Sequence, residues 1–221
     1  MLASNVDRWL WWDWISRNTD LIRSSLEEHV ILTLSAVGLG LLIALPLGVA
    51  ANRWPRIYGP ALGITGVLFT IPSLAAFAFL IPYTGLSRTT ALIPLTSYTL
   101  LILLRNVVAG LAAVPPEIKD AADGMGFSRT WRLVRVELPL ALPTIMAGIR
   151  IATVTIVGLA AVAGLLAIPS LGNLIYVGQN RPIRTAVTVG IALSVALAVA
   201  ADLLLALVQR LLTPWSRKVR Q

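Results

Sequence analysis

Cysteine is absent from this 221-residue chain, histidine occurs once, and lysine occurs only at 119 and 218. Without cysteine there is no disulfide framework, no thiolate nucleophile and no thiol-ligated metal. With His29 alone, a histidine-based metal site is excluded, and the scattered serines and aspartates have no imidazole partner beyond Glu28 beside it. That pair reads as a feature of a membrane boundary. Neither lysine follows a glycine-rich phosphate loop, so a Walker-type ATPase is excluded as well. No catalytic constellation remains, and the chain reads as something other than an enzyme. Charge is also scarce, at 13% of residues, and 57% are hydrophobic, which is too apolar for a soluble domain of this length.

What is present is a series of long apolar runs. Spans are expected at about 30–51, 58–81, 89–114, 140–166 and 186–212, each able to cross a hydrocarbon core of about 30 Å. Pro72 interrupts the second. The segment 167–185, with Pro169, Gly172, Gly178 and Pro182, is too broken for a span and fits a re-entrant or external loop. The expected fold is therefore all-α and polytopic, one membrane domain over 28–212 with about five transmembrane helices. Residues 1–28 lack the features of a signal peptide. Trp9, Trp11, Trp12 and Trp14 cluster there with Asp7, Asp13 and Arg8, as expected for an amphipathic helix lying at the interface. Residues 213–221 form a basic tail.

The net charge of +8 would suit nucleic acid, but the basic residues stand at the ends of apolar runs and read as topology signals instead. Arg53, Arg56, Lys119, Arg129, Arg132, Arg135, Arg210, Arg217, Lys218 and Arg220 fall on one side of the expected spans. Arg8, Arg17, Arg23, Arg88, Arg181 and Arg184 fall on the other. The excess assigns the first side to the cytoplasm, with the N-terminus outside and the C-terminus inside.

The longest polar interruption, 115–138, begins PPEIKDAADGMGFSRTWR. Pro115 and Pro116 stop the preceding span and suit the first turn of a short helix. Glu117, Asp120 and Asp123 share one face of it, Gly124 and Gly126 permit a sharp turn, and Ser128 can cap a second short helix. That spacing fits a rigid knob at the membrane surface, and equally an ordinary polar loop. Within the spans, Arg105, Arg150 and Asp202 are the buried-depth charges, and such groups must face protein or water. Asp202 is expected to pair with Arg105 or Arg150, either to fix helix packing or in a site that meets a substrate carboxylate. Around Pro72 and Ser73 the freed carbonyl suits either core packing or a pathway lining.

The loop resembles the cytoplasmic coupling loop of ABC-importer permeases, in which E-A-A is followed after three residues by G and, nine residues later, by I-x-L-P. Here Asp120-Ala121-Ala122 precedes Gly126, and Val136, Leu138 and Pro139 follow at matching distances, with Asp for Glu and Val for Ile. The blocks Ile71–Ala75, Leu104-Arg105-Asn106, Gly124–Gly126, Val136–Pro143 and Ile145–Arg150 are similar to the osmoprotectant branch of that family. The resemblance covers about 20–212. It implies the type I importer fold and import of glycine betaine, carnitine, choline or a similar quaternary amine or zwitterion; another small solute, such as an amino acid, is the alternative. It also implies residence in a prokaryotic plasma membrane, a second permease chain (identical or related), an extracytoplasmic binding protein, and two ATPase subunits that bind ATP and Mg. No cofactor is expected in this chain. The family's glycine-rich G-A-G-G-L-G reads Ala167-Ile168-Pro169-Ser170-Leu171-Gly172 here, keeping only the final Leu-Gly.

Overall fold

The computed structural model describes residues 9–166, 168 and 170–215. Asp7 and Arg8 of the tryptophan cluster, Ala167 and Pro169, and the tail beyond 215 lie outside the described residues. The described chain is helical, with no strand.

The stretch expected as one interfacial helix up to residue 28 divides in two. A short α1 spans Trp12–Arg17, and α2 runs from Thr19 to Arg53 without a break. Asn18 separates them, its side chain donating to the Trp14 carbonyl at 2.8 Å. From Thr19 to Val37 no glycine or proline stops the helix, and the Arg23–Glu27 pair at 2.7 Å ties one exposed turn to the next. The 35 residues of α2 therefore reach about 52 Å, more than the apolar core requires, and its polar first turns extend past that core. Trp11 donates its backbone N–H to the Thr185 hydroxyl at 3.0 Å, and Arg184 lies over the Trp9 ring at 5.3 Å. This end of the molecule thus joins α1 to the start of the last helix.

Trp54 leaves the helical conformation and Pro55 opens α3 (Pro55–Thr70), followed by α4 (Ser73–Thr84). The two are bent by 90° at Ile71 and Pro72. Proline has no N–H to continue the ladder, and the carbonyl left at Ile71 accepts a hydrogen bond from the Tyr98 hydroxyl at 2.8 Å. That satisfied carbonyl is what allows a broken span at membrane depth. Ser87 caps α5 (Arg88–Ala112). After α6 (Pro116–Gly124) the chain enters a single turn of helix, α7 (Arg129–Arg132), then a π turn at Leu133–Glu137. It continues directly into α8 (Leu138–Ala163) and a 3-10 turn at Gly164–Leu166. The span expected from about 140 thus has no boundary there: the helix starts at 129. Two further helices follow, α9 (Leu171–Asn180) and α10 (Arg184–Leu212).

Four of these elements, α2, α5, the 129–166 rod and α10, are long and apolar enough to cross a membrane, and α3 with α4 makes a bent fifth. The core lies where α2, α4, α5 and α8 meet, around Leu32, Ala36, Phe77, Leu95, Tyr98, Ile156 and Ala160. Small residues set the spacing. A side chain at Gly40 would strike Thr99, one at Gly48 would strike Val107, and one at Gly148 would enter Asn106, so α5 lies close against both α2 and α8. By contrast, no residue of the most apolar stretch of α10 is buried.

Candidate functional site

The 115–138 loop is a built structure rather than a slack connection. Within α6, Ala122 is buried while Asp120 and Ala121 are exposed. The helix therefore seats one small residue and presents the other two members of the Asp-Ala-Ala triplet outward. Gly126 has φ +82 and open space about its Cα. Its requirement for glycine is therefore conformational and not a matter of room. Ser128 caps α7 by accepting from the Trp131 N–H at 3.4 Å. Trp131 stacks edge-on with Phe127 at 5.7 Å and lies under the Arg135 guanidinium at 4.5 Å. It remains half exposed, and Met125 is largely exposed. The knob thus shows an apolar tip, Met125 and Trp131, flanked by charge.

What holds the knob to the bundle is a group that the sequence motif did not single out. Glu137 is buried, 6% exposed, at the end of the π turn. Its Oε1 accepts from Arg132 Nε at 2.9 Å, and its Oε2 faces Lys119 Nζ at 4.0 Å. Arg132 also donates to Asp123 of α6. Lys119 reaches the Leu111 carbonyl at the end of α5, at 3.4 Å. One carboxylate therefore gathers α6, α7 and the start of α8. Ordinary helical spacing hides this, because Arg132 and Glu137 are five residues apart and only the π turn brings them onto one face. Below it, Leu133 and Leu138 pack on the cluster of Val107, Leu111, Ala141 and Ile145, while Val136 is partly buried and Pro139 opens α8.

Deeper in the bundle, Asp202 pairs with Arg150, and Arg105 stands apart. Arg150 donates from Nε and Nη2 to the two Asp202 oxygens, each at 2.8 Å. Gln209, unremarked in the sequence, extends the pair: it donates to the Pro143 carbonyl at 3.2 Å and its Oε1 lies 3.5 Å from Arg150 Nη1. The pair borders a groove of about 460 Å³ with Ala147, Ile151 and Val154. Arg105 is exposed and makes no ion pair or side-chain hydrogen bond among the described residues. Asn106 beside it turns inward, donating to the Ile102 carbonyl at 2.8 Å and filling the space left by Gly148. The exposed face of α5 runs through Ile93, Arg105 and Ala109, with Ser97 and Leu101 half exposed between them. At its far end is an apolar groove of about 500 Å³, shared with Ile71, Ala75 and Phe79 of the bent span. Pro72 is exposed and Ser73 half buried at this bend.

At the opposite end from the knob, Glu28 and His29 do not act together. Glu28 binds Arg88 at the start of α5 through a two-pronged ion pair, with contacts from 2.5 to 3.1 Å. His29 is fully buried. The Leu171 N–H donates to its Nδ1 at 3.3 Å, which leaves the proton on Nε2 for the Val157 carbonyl at 3.0 Å. His29 therefore ties α2 to α8 and to the first residue of α9. The retained Gly172 is explained here as well: a side chain on it would strike the Ala161 carbonyl.

A family model described as "Binding-protein-dependent transport system inner membrane component" matches residues 36–218. The chain is 37% identical, over 85% of its length and 86% of the relative's, to the choline transport system permease protein OpuBB of Bacillus subtilis. It is equally 37% identical, with the same coverage, to the glycine betaine/carnitine/choline transport system permease protein OpuCB of that organism. Among solved structures, an inward-facing methionine ABC transporter, MetNI, superposes with a TM-score of 0.80 at 23% identity, covering 88% of this chain and 97% of that one. This last likeness speaks to the fold alone.

Proposed function

The chain belongs to the family of binding-protein-dependent transport system inner membrane components, and on that premise we propose that it is the permease subunit of an ATP-driven importer for a small osmoprotectant. The solute class is a quaternary amine or zwitterion such as glycine betaine, choline or carnitine. The identity shared along most of the chain with OpuBB and OpuCB, whose names give those solutes, is the observation that carries this reading.

In this reading the knob of α6 and α7 is the coupling element. It docks through its exposed Asp120–Ala121 face and its Met125–Trp131 tip on one of two ATPase subunits, which hold ATP and Mg. Gly126 sets the turn, and Val136, Leu138 and Pro139 join the knob to α8. The knob end is cytoplasmic and the His29 end faces out, where the binding protein delivers solute. The excess of basic residues at the knob end supports that orientation. A second permease chain completes the path.

The exposed face of α5 lines that path. A lipid-facing helix is aliphatic on its outer side, as α10 is at Ile191, Val195, Val199, Leu203 and Leu207. The α5 face instead places the charge of Arg105 at mid-span, with Ser97 and Ala109 interrupting Ile93 and Leu101, and a charge at that depth requires water or protein. The bend at Pro72 and Ser73 borders the same path. Arg150 and Asp202 act as a packing pair that holds α10 to α8, because both carboxylate oxygens are already occupied.

The test is the ATPase activity of the purified importer in liposomes with its binding protein, comparing the native chain with Gly126→Val. A β-branched residue at φ +82 is strained, so the knob should lose its shape. Stimulation by glycine betaine or choline, abolished by the substitution, is the expected result. Stimulation only by an unrelated solute would keep the importer and reject the solute class, and unimpaired stimulation of the variant would reject the coupling role.

A further inference from the structure

A polar cavity of about 400 Å³ opens between the end of α2 and the knob, and none of the roles above uses it. Its walls are Asn52 and Arg53 from α2, Lys119 and Asp123 from α6, and Arg129, Arg132 and Glu137 from the following rod. Four cations thus face two carboxylates, a formal surplus of two positive charges. The carboxylates are already committed. Glu137 holds Arg132 and Lys119, and Asp123 holds Arg132. The other two guanidiniums are not neutralised: neither Arg53 nor Arg129 has a carboxylate partner among the described residues. Two unneutralised guanidiniums with the Asn52 amide and the Thr130 hydroxyl beside them form a donor set suited to a phosphate oxyanion.

The position of the cavity indicates the source of that phosphate. Arg53 lies over the ring of Trp54 at 5.1 Å, and Trp54 is half exposed where α2 ends its apolar run. A tryptophan at such a point marks the level of the lipid headgroups. Val49, one turn deeper in α2, and Leu133 give the cavity an apolar side toward the hydrocarbon. A site that is cationic at headgroup level and apolar just below it fits a phosphodiester that remains attached to its acyl chains.

We propose that this cavity is a binding site for an anionic phospholipid headgroup, with Arg53 and Arg129 as the phosphate-binding cations and Asn52 and Thr130 as neutral donors. The proposal rests on the chain's place in a membrane and on neither the solute nor the coupling role. A lipid seated there would bridge α2 and the knob.

The experiment is native mass spectrometry of the detergent-purified importer complex, titrated with phosphatidylglycerol or phosphatidylcholine of matched chains. Four permeases are compared: native, Arg53→Gln, Arg53→Lys, and Arg53→Gln with Arg129→Gln. Arg53→Gln lies outside the knob, so it stays interpretable if the double variant fails to assemble. The native complex should retain phosphatidylglycerol over phosphatidylcholine. Arg53→Gln should weaken that retention by about tenfold, the effect of one charge-assisted contact, and Arg53→Lys should largely restore it. A parallel arm adds millimolar inorganic phosphate, which should not displace the lipid. Equal retention of the two lipids, or unchanged retention by both Gln variants, would overturn the proposal. Displacement by inorganic phosphate would replace the lipid with a free-anion site.

Discussion

Removing the Glu137 carboxylate should loosen the knob without unfolding the bundle, and the structure sets the size of the effect. Breaking a fully buried ion pair by deleting one partner costs about 3–5 kcal/mol. Two features here reduce that figure. Arg132 keeps its second contact, to Asp123, and the side chains of Arg132 and Lys119 are 21% and 24% exposed, so both cations still reach water. What is lost in Glu137→Ala is chiefly one charged hydrogen bond at 2.9 Å and a longer-range attraction at 4.0 Å, or about 1.5–2 kcal/mol. Glu137→Gln keeps the volume and an acceptor for Arg132 Nε, so its cost should be nearer 1 kcal/mol. The loss falls on the equilibrium between seated and released knob, because among the described residues the Glu137 carboxylate contacts Lys119 of α6 and Arg132 of α7 and no spanning helix. In native-state hydrogen exchange, the amides of α6 should therefore exchange roughly 10–30 times faster in Glu137→Ala, with little change in α2 or α5. Solute-stimulated ATPase activity should fall in parallel. Unchanged exchange over 116–132, or a uniform loss of protection through every helix, would refute the assignment of Glu137 as the local tie.

Two further outcomes are expected. Arg150→Leu and Asp202→Leu should each lower the yield of folded permease several-fold, because each strands a charge, while the double substitution should recover most of it, read by resistance to unfolding in detergent; normal folding of Asp202→Asn with lost transport would instead assign the pair to solute handling. His29→Leu should orphan the Leu171 N–H at a cost of about 1–3 kcal/mol, read as faster exchange of that amide and a lower melting temperature.

The parts legible in the sequence were those carried by composition and by local spacing. Apolar runs marked the five passes, Pro72 marked the break, and Ser128 and Gly126 marked the cap and the turn. The extent of α2 was not legible, because the polar residues 19–28 read as surface when they are the outer turns of a spanning helix. Nor was the continuity from 129 to 166, where the apolar run alone put the start of the span at about 140. Both prolines lie inside the continuous rod, Pro139 just after the π turn and Pro143 within α8, where an interior proline removes a helical hydrogen bond without ending the helix. Contacts between distant residues were hardest to read. The choice of Arg150 over Arg105 for Asp202, the burial of Glu137 and the two-sided use of His29 all depend on which faces of separate helices meet, and one sequence does not state that. The only local hint at Glu137 was a charge immediately before Leu-Pro at the mouth of an apolar run.

The distribution of ties along the 129–166 rod indicates which elements would travel with it. Its 38 residues make a lever of about 57 Å with the knob at one end. To the elements beside it the rod is joined by directional bonds: Glu137 binds Lys119 of α6, Arg150 binds Asp202 of α10, and the Val157 carbonyl binds His29 of α2. To α5 it is joined differently. Those contacts are close and mainly apolar: Val107 and Leu111 pack with Ala141 and Ile145, Gly148 receives Asn106, and no side-chain hydrogen bond crosses them among the described residues. Bonds that fix both distance and direction resist sliding more than packed apolar side chains, which resist separation and allow small shears between helices. Force applied at the knob would therefore carry α10 with the rod and slide it past α5, the helix whose exposed face holds Arg105. The 90° bend between α3 and α4 packs on that same helix, held at its break by the Tyr98 hydroxyl of α5. The rod and α10 thus form one unit and α5 with the broken span the other, with α2 bonded to both through His29 and the Glu28–Arg88 pair, and on the proposed assignment of α5 to the path their interface is where access would alternate.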